Sequence, residues 1–207
     1  MIGLFLLWTK SIGSQNNYPA RPTACGCFAG RKSMTAFKSF RVAHEYTQTN
    51  PASPEKVFPL LCPVREAEWI PGWRYRLIYS DSGIAELGCI FATPSKTASE
   101  VSKPSDEGKL TAPETTWITV DYDPAAFRIG YVWIDPGRVA TELRIQLTPA
   151  TDGNTHSHIS FRYTGLSPEG NREVESYDQK WFERKMQGWQ SAINHYLRTG
   201  TMLKPVG

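Results

Sequence analysis

His44 and Glu68 are the side chains of this sequence best suited to transferring a proton. His44 lies in a stretch with alternating apolar residues, so it is predicted to point inward from a strand, where burial shifts the pKa of an imidazole across neutrality. Glu68 precedes Trp69 in a short predicted helix, and a carboxyl that faces the mouth of a cavity there has a raised pKa. Each residue also has a plainer interpretation, a hydrogen-bonded core histidine and an exposed acid. The sequence therefore does not identify the catalytic residues, and His44 and Glu68 are the candidates.

Two further histidines, His156 and His158, lie two residues apart on a predicted strand, a spacing that offers two ligands to one metal ion. They share a strand face with Ser160 and Arg162, which is the solvent face, and no third ligand follows. Nucleophile elbows, phosphate-binding loops, dinucleotide fingerprints and HExxH sequences are absent. The sequence therefore predicts no metal site and no cofactor, and it does not favour covalent or nucleotide-driven catalysis.

The positive charge of the chain is concentrated in its first 33 residues. The 207 residues carry a net charge of +3, and the acid-free stretch of residues 1–33 contributes +4 of it. Residues 34–207 therefore have a net charge of −1 and no basic stripe of the kind that binds nucleic acid. The four cysteines, Cys25, Cys27, Cys62 and Cys89, are too few and too scattered for a disulfide framework, which favours a reduced, cytoplasmic protein.

Residues 1–33 are predicted to be a flexible extension, with Met34 as the functional start and residues 34–207 as a single domain. The apolar run of residues 1–8 is far shorter than the roughly 20 residues that cross a bilayer, so no membrane span is predicted. The acid-free stretch that follows leaves an organellar targeting segment as the alternative.

The hydrophobic pattern predicts the elements that position these side chains. Alternation predicts strands at 39–48, 116–122, 127–134, 139–147 and 156–165, and a hairpin of strands at 75–80 and 85–93. Two short helices are predicted, one after Ser53 and one through residues 66–69, followed much later by a single helix over 169–198. Residues 94–114 read as a polar surface loop, with a role as a lid left open. The even strand spacing indicates an antiparallel meander with one dry face.

This order of elements resembles the helix-grip superfamily, also called SRPBCC, which includes START lipid-binding domains, birch-pollen-allergen-like proteins and polyketide cyclases. The sequences ASPEKVF of residues 52–58 and EWIPGW of residues 68–73 also resemble parts of its first two helices. The resemblance covers Phe37 to Gly200. It implies an α+β helix-grip fold, in which a curved antiparallel sheet of six to seven strands carries two short helices and one long C-terminal helix over its concave face.

The inward positions of the predicted elements are rich in aromatic side chains, several with polar tips. Such side chains suit a cavity for a small hydrophobic or aromatic ligand, including a lipid, although a solid core would use them equally. The residues predicted to contact the ligand are His44, Tyr46, Trp69, Trp73, Tyr75, Tyr79, Cys89, Phe91, Tyr131, Trp133, Tyr163, Tyr177, Trp181 and Trp189.

Two functional hypotheses follow from this predicted container. The first is a cytoplasmic carrier or sensor that binds a small hydrophobic molecule. The second is a cofactor-independent enzyme of the cyclase or dehydratase type, in which His44, Glu68 and cavity tyrosines move protons on a polyketide-like substrate. An interaction domain that resembles the activators of a chaperone ATPase is a third class. The sequence leaves both catalysis and the oligomeric state open.

Overall fold

Seven antiparallel strands form one sheet in a computed structural model that describes residues 37–95 and 114–204. The strands are β1 (Arg41–Asn50), β2 (Arg76–Tyr79), β3 (Ile90–Pro94), β4 (Glu114–Asp123), β5 (Arg128–Asp135), β6 (Val139–Pro149) and β7 (Thr155–Gly165). Their order across the sheet is β1-β7-β6-β5-β4-β3-β2, so strands β2 to β7 form a meander and β1 pairs with β7. The predicted antiparallel meander is confirmed.

Several predictions fall on parts of the chain outside the described ranges. These are the extension of residues 1–33, with Cys25 and Cys27, the start at Met34, and most of the loop of residues 94–114. The described residues lie within one compact unit, Phe37–Gly207. Within the described ranges, no helix is long and apolar enough to cross a membrane.

The inner face of the sheet is apolar and buried, because alternate residues of its long strands are apolar and point towards the core. Along β6, Leu143 and Ile145 are buried, whereas Arg144 between them is exposed. The register of the strands aligns the inward positions in rows across the sheet. One row consists of Phe91, Trp117, Trp133, Thr141 and Tyr163, and the next consists of Tyr131, Leu143, Phe161 and His44.

The hairpin predicted at 75–80 and 85–93 has shorter strands than predicted. β2 and β3 pair over a few residues only, and a register shift between Leu77 and Tyr79 accompanies the exposure of Tyr79 to solvent. Residues 80–89 form a loop, in which Gly83 and Gly88 adopt positive φ angles of 77° and 80° that are incompatible with extended pairing. Cys89, predicted to lie on the second strand, belongs to this loop instead, and its side chain is buried.

Prolines determine where the short helices between β1 and β2 begin. α1 (Pro54–Val57) continues into a 3-10 helix (Phe58–Leu61), and α2 (Pro63–Glu66) follows. α2 begins before the predicted position, residues 66–69, because Pro63 occupies the first helical position, which proline favours.

The single helix predicted over 169–198 is wrong, because the segment forms two helices, α3 (Pro168–Glu175) and α4 (Gln179–Thr199). The break falls at Asp178, whose carboxylate accepts a hydrogen bond from the backbone N–H of Trp181 at 2.7 Å and so caps α4. The 21 residues of α4 give it a length of about 31 Å. It ends at Gly200, as predicted, where a φ of 67° stops the helix.

Buried polar side chains attach the C-terminal half of α4 to the sheet. The side-chain amide of Asn50 on β1 donates to Oδ1 of Asn194 on α4 at 2.7 Å, and the Oδ1 of Asn50 accepts from the hydroxyl of Ser157 at 2.6 Å. Asn50 and Ser157 are at most 1% exposed. Because a buried polar group without a partner costs about 1–3 kcal/mol, these bonds fix where α4 crosses β1 and β7.

Gly170→Ala and Gly188→Ala are expected to change stability in opposite directions, although both glycines lie in helices. A Cβ on Gly170 would lie 1.8 Å from the backbone oxygen of Arg138, so α3 must move, at a cost of about 2–3 kcal/mol. A Cβ on Gly188 meets nothing within 4 Å, and replacing a helical glycine there gains about 0.5–1 kcal/mol. Urea unfolding measures both changes, and equal effects would contradict the packing of α3 against the β5–β6 turn.

Candidate ligand-binding cavity

A cavity of about 450 Å³ lies between the inner face of the sheet and α4, and residues of α2 and of the chain that follows it also line it. The sheet residues that line it are Phe91, Thr93, Pro94, Thr115, Trp117, Tyr131, Trp133, Asp135, Leu143, Phe161 and Tyr163. The other lining residues are Glu66, Ile70, Pro71, Trp73, Lys185, Met186, Gly188, Trp189 and Ala192. The volume lies within the range of about 300–1,000 Å³ that is typical of small-molecule sites.

Three aromatic residues on adjacent strands form one side of the cavity, here called the aromatic wall: Phe91 on β3, Trp117 on β4 and Trp133 on β5. The strand register places them directly opposite one another. The rings of Trp117 and Trp133 stack with centroids 3.8 Å apart, and those of Phe91 and Trp117 stack at 5.4 Å. The indole N–H of Trp117 donates to Oγ1 of Thr93 at 2.9 Å. The two faces of the Trp117 ring are therefore covered by Phe91 and Trp133, which holds the wall in place.

Two polar side chains of β5, Tyr131 and Asp135, already have partners inside the protein. The hydroxyl of Tyr131 donates to the backbone oxygen of Leu61 at 2.9 Å, and burial raises the pKa of this phenol well above its ordinary value. The carboxylate of Asp135 accepts from the hydroxyl of Thr115 at 2.6 Å. These groups stiffen the cavity.

Lys185 places a positive charge at the rim of the cavity, because its side chain lines the cavity and is also exposed to solvent. Its ammonium lies 4.1 Å from the ring centroid of Phe161, within the range of a cation–π contact. It also donates to the hydroxyl of Tyr163 at 3.2 Å. Burial raises the pKa of Tyr163, so this phenol stays neutral.

Glu66, the last residue of α2, is a lining carboxylic acid whose ionisation burial perturbs strongly. Burial raises the pKa of its carboxyl from 4.5 to about 8, so most of the population is protonated at pH 7. Its carboxyl forms no hydrogen bond or ion pair with the described parts of the chain, although it lines the cavity with Tyr131 and Trp73. A neutral carboxylic acid with no partner can donate one hydrogen bond to a bound molecule or transfer a proton to it.

The structure brings six of the predicted ligand-contacting residues together around the cavity and places the other eight elsewhere. The six are Trp73, Phe91, Tyr131, Trp133, Tyr163 and Trp189. The eight are His44, Tyr46, Trp69, Tyr75, Tyr79, Cys89, Tyr177 and Trp181.

His44 does face inward, but it contacts the start of α4 instead of the cavity. Its Nε2 lies 2.6 Å from the backbone oxygen of Tyr177, to which it donates, and its Nδ1 lies 3.0 Å from the side-chain amide of Gln179. Its ring stacks on Phe182 with centroids 4.9 Å apart. His44 thus has the surroundings of a hydrogen-bonded core histidine.

The other residues outside the cavity pack into the core or lie on the surface. Trp69 is fully buried behind Trp189, and its indole N–H donates to Leu60 O at 2.8 Å. The hydroxyl of Tyr46 donates to Gln190. Tyr177 and Trp181 stack on each other at 4.3 Å near the start of α4. Tyr75 is half-buried beside β2, and Tyr79 is 51% exposed.

Glu68, the second candidate for proton transfer, also lies outside the cavity. Its carboxylate accepts hydrogen bonds from Arg65 at 2.5 and 2.9 Å and from the hydroxyl of Tyr196. The bonds from Arg65 hold the pKa of this exposed carboxyl below its usual range. In helical geometry, the side chains of residues two positions apart point in directions about 200° apart around the axis. Because Glu66 points into the cavity, Glu68 points away from it.

No cluster of three or more His, Cys, Asp or Glu side chains within residues 37–95 and 114–204 could hold a metal ion. His156 and His158 lie with ring centroids 6.5 Å apart and contact the hydroxyls of Thr49 and Thr47 respectively. These contacts match the solvent face that the strand alternation predicts.

No family model matches the chain, and no curated protein matches its sequence. Solved structures do match it. Norcoclaurine synthase from Thalictrum flavum is 15% identical with a TM-score of 0.53, over 78% of this chain and 88% of that one. Ara h 8.0201 is 16% identical with a TM-score of 0.51, over 77% and 99%. The Zhui aromatase/cyclase from Streptomyces sp. R1128 is 15% identical with a TM-score of 0.51, over 77% and 94%. The chain therefore has the helix-grip fold that its resemblance to the SRPBCC superfamily implies.

Proposed function

We propose that this protein binds a small, largely apolar molecule in the cavity, as a carrier or sensor. The observation that carries the proposal is the aromatic wall, in which three stacked rings border about 450 Å³ of space that no described side chain fills. Such an aromatic lining suits a small, largely apolar ligand, and the rings of Trp73 and Trp189 border the same space.

The similar solved structures support a ligand-binding cavity, but they do not identify the ligand of this protein. One of the matching structures, 15% identical with a TM-score of 0.53 over 77% of this chain and 88% of that one, is norcoclaurine synthase in complex with dopamine and hydroxybenzaldehyde. Both are small aromatic molecules. The fold alone is shared at this identity, so the chemistry of the ligand has to be inferred from the lining of this cavity.

A second candidate function is cofactor-independent catalysis of the cyclase or dehydratase type, and Glu66 is the observation that favours it. His44 and Glu68 lie outside the cavity, so neither reaches a molecule bound there. Glu66 lines the cavity, and its pKa of about 8 lies near the value that suits proton transfer at neutral pH. For this second function, a polyketide-like substrate packs against the aromatic wall while Glu66 donates or accepts a proton.

We also propose that the protein is located in the cytoplasm. Cys62 and Cys89 are buried and free, and a reduced compartment suits unpaired thiols.

Ala192→Phe is expected to abolish binding of an apolar aromatic probe. Ala192 is 6% exposed and lines the cavity, so a benzyl group at this position occupies the space of the ligand. Titration calorimetry with 2-isopropylnaphthalene should show binding to the natural protein and at least about tenfold weaker binding to the variant. Ser191→Phe, which adds the same group at the exposed neighbouring position, is the control and should bind as the natural protein does. Equal affinity of Ala192→Phe and Ser191→Phe would refute the proposal.

Glu66→Gln is expected to remove part of the pH dependence of folding stability. The pKa of Glu66 is about 8 in the folded protein and near 4.5 when unfolded, so the folded state binds the proton more tightly. Its contribution is fully present below about pH 4.5 and is lost as the pH rises to 8, at up to about 1.4 kcal/mol per pH unit.

Urea unfolding from pH 4 to 9 measures this effect. Glu66→Gln should have nearly the stability of the natural protein at pH 4 and exceed it by several kcal/mol at pH 8, to an order of magnitude. Glu68→Gln should not gain stability at high pH, because Arg65 lowers the pKa of Glu68. A constant difference between Glu66→Gln and the natural protein at all pH values would show that Glu66 titrates normally.

A further inference from the structure

Glu66 stands out among the polar groups of the cavity because nothing in the described structure satisfies it. Trp117 donates to Thr93, Tyr131 donates to Leu61, Asp135 accepts from Thr115, and Tyr163 accepts from Lys185. Each of these contacts has a structural use. Glu66 makes no such contact, so its carboxyl contributes nothing to the fold that an apolar side chain of similar size would not supply better.

The charged and titratable groups around Glu66 do not compensate for it. Tyr131 on β5 is the titratable side chain that interacts with it, and burial keeps that phenol neutral. Lys185 on α4 and Asp135 on β5 line the same cavity, but neither forms an ion pair with Glu66. On its own segment, Arg65 is bonded to Glu68. Glu66 is therefore a mostly neutral acid at pH 7, and its O–H makes no hydrogen bond within residues 37–95 and 114–204.

We infer that Glu66 is a specificity-determining residue that donates a hydrogen bond from its protonated carboxyl to a carbonyl oxygen of the bound molecule. The inference rests on the proposed function, since it requires a ligand in the cavity. A neutral acceptor suits the site better than an ammonium group, because an ion pair here would require two charges to lose their hydration. The ligand class is thus an apolar ketone, aldehyde or similar carbonyl compound.

Three naphthalenes of nearly equal shape test this assignment by titration calorimetry. They carry an acetyl, an isopropyl or a 1-aminoethyl group at position 2 and so present a carbonyl acceptor, no polar group or a cation. The natural protein at pH 6.5 should bind the acetyl compound about three- to tenfold more tightly than the isopropyl compound. Glu66→Leu should abolish this preference while retaining binding of the isopropyl compound. Glu66→Gln, whose amide still donates, should retain it.

The pH dependence separates a neutral donor from a carboxylate. The preference of the natural protein for the acetyl compound should disappear above about pH 8, the pKa of Glu66, whereas that of Glu66→Gln should persist. Glu68→Gln, the same change outside the cavity, is the matched control and should behave as the natural protein does. Thermal unfolding of each variant checks that it is folded.

Two results would overturn the inference while leaving the cavity function intact. One is equal affinity of the natural protein for the acetyl and isopropyl compounds. The other is preferred binding of the aminoethyl compound with an affinity that rises through pH 8, which would make Glu66 a carboxylate receptor for amines. Failure of both the acetyl and isopropyl compounds to bind would instead refute the proposed function, and the inference with it.

Discussion

One helix has to cover a sheet that is much wider than the helix itself, and the hollow of this protein follows from that constraint. Seven strands at a spacing of about 4.8 Å form a surface roughly 29 Å wide, whereas a helix with its side chains is about 10–12 Å in diameter. α3 and the short helices cover parts of the dry face. Above β3, β4 and β5 the side chains alone decide whether the space is filled, and there the rings of the aromatic wall stack on one another along the sheet and leave the gap below α4 open.

The helix is held at both ends, and this leaves its middle to form the roof of the cavity. At its start, His44 binds the backbone oxygen of Tyr177 and contacts Gln179. About four turns of helix later, Asn194 binds Asn50, which lies on the same face of β1 as His44. The side chains between these two attachments include Lys185, Met186, Trp189 and Ala192, all of which line the cavity. The polar residues of β1 thus act on the site indirectly, because they keep α4 at a distance from the aromatic wall.

The sequence predicts the strands, their alternation and the helix-grip order well, because period-two patterns are local. It predicts the contacts of individual side chains less well. The break before α4 was not predicted because Ser176 caps the end of α3 and Asp178 caps the start of α4, without a proline or glycine between the helices. Glu66 was overlooked in favour of Glu68 because the facing of a one-turn helix depends on its first residue, Pro63. His44 was predicted to face inward, yet its partners, Tyr177 and Gln179, are more than 130 residues away in the chain. Trp117 could have been found from the alternation of β4, which places it opposite Trp133.

A crystal structure of the protein purified from its own source tests the central claim, that this fold keeps an open cavity beside the aromatic wall. We expect Trp117 and Trp133 to remain stacked and a small, largely apolar molecule to lie between the wall and α4, with a polar atom within hydrogen-bonding distance of Glu66. A core in which the side chains of the wall and of α4 meet, with room for only a few water molecules between them, would contradict it.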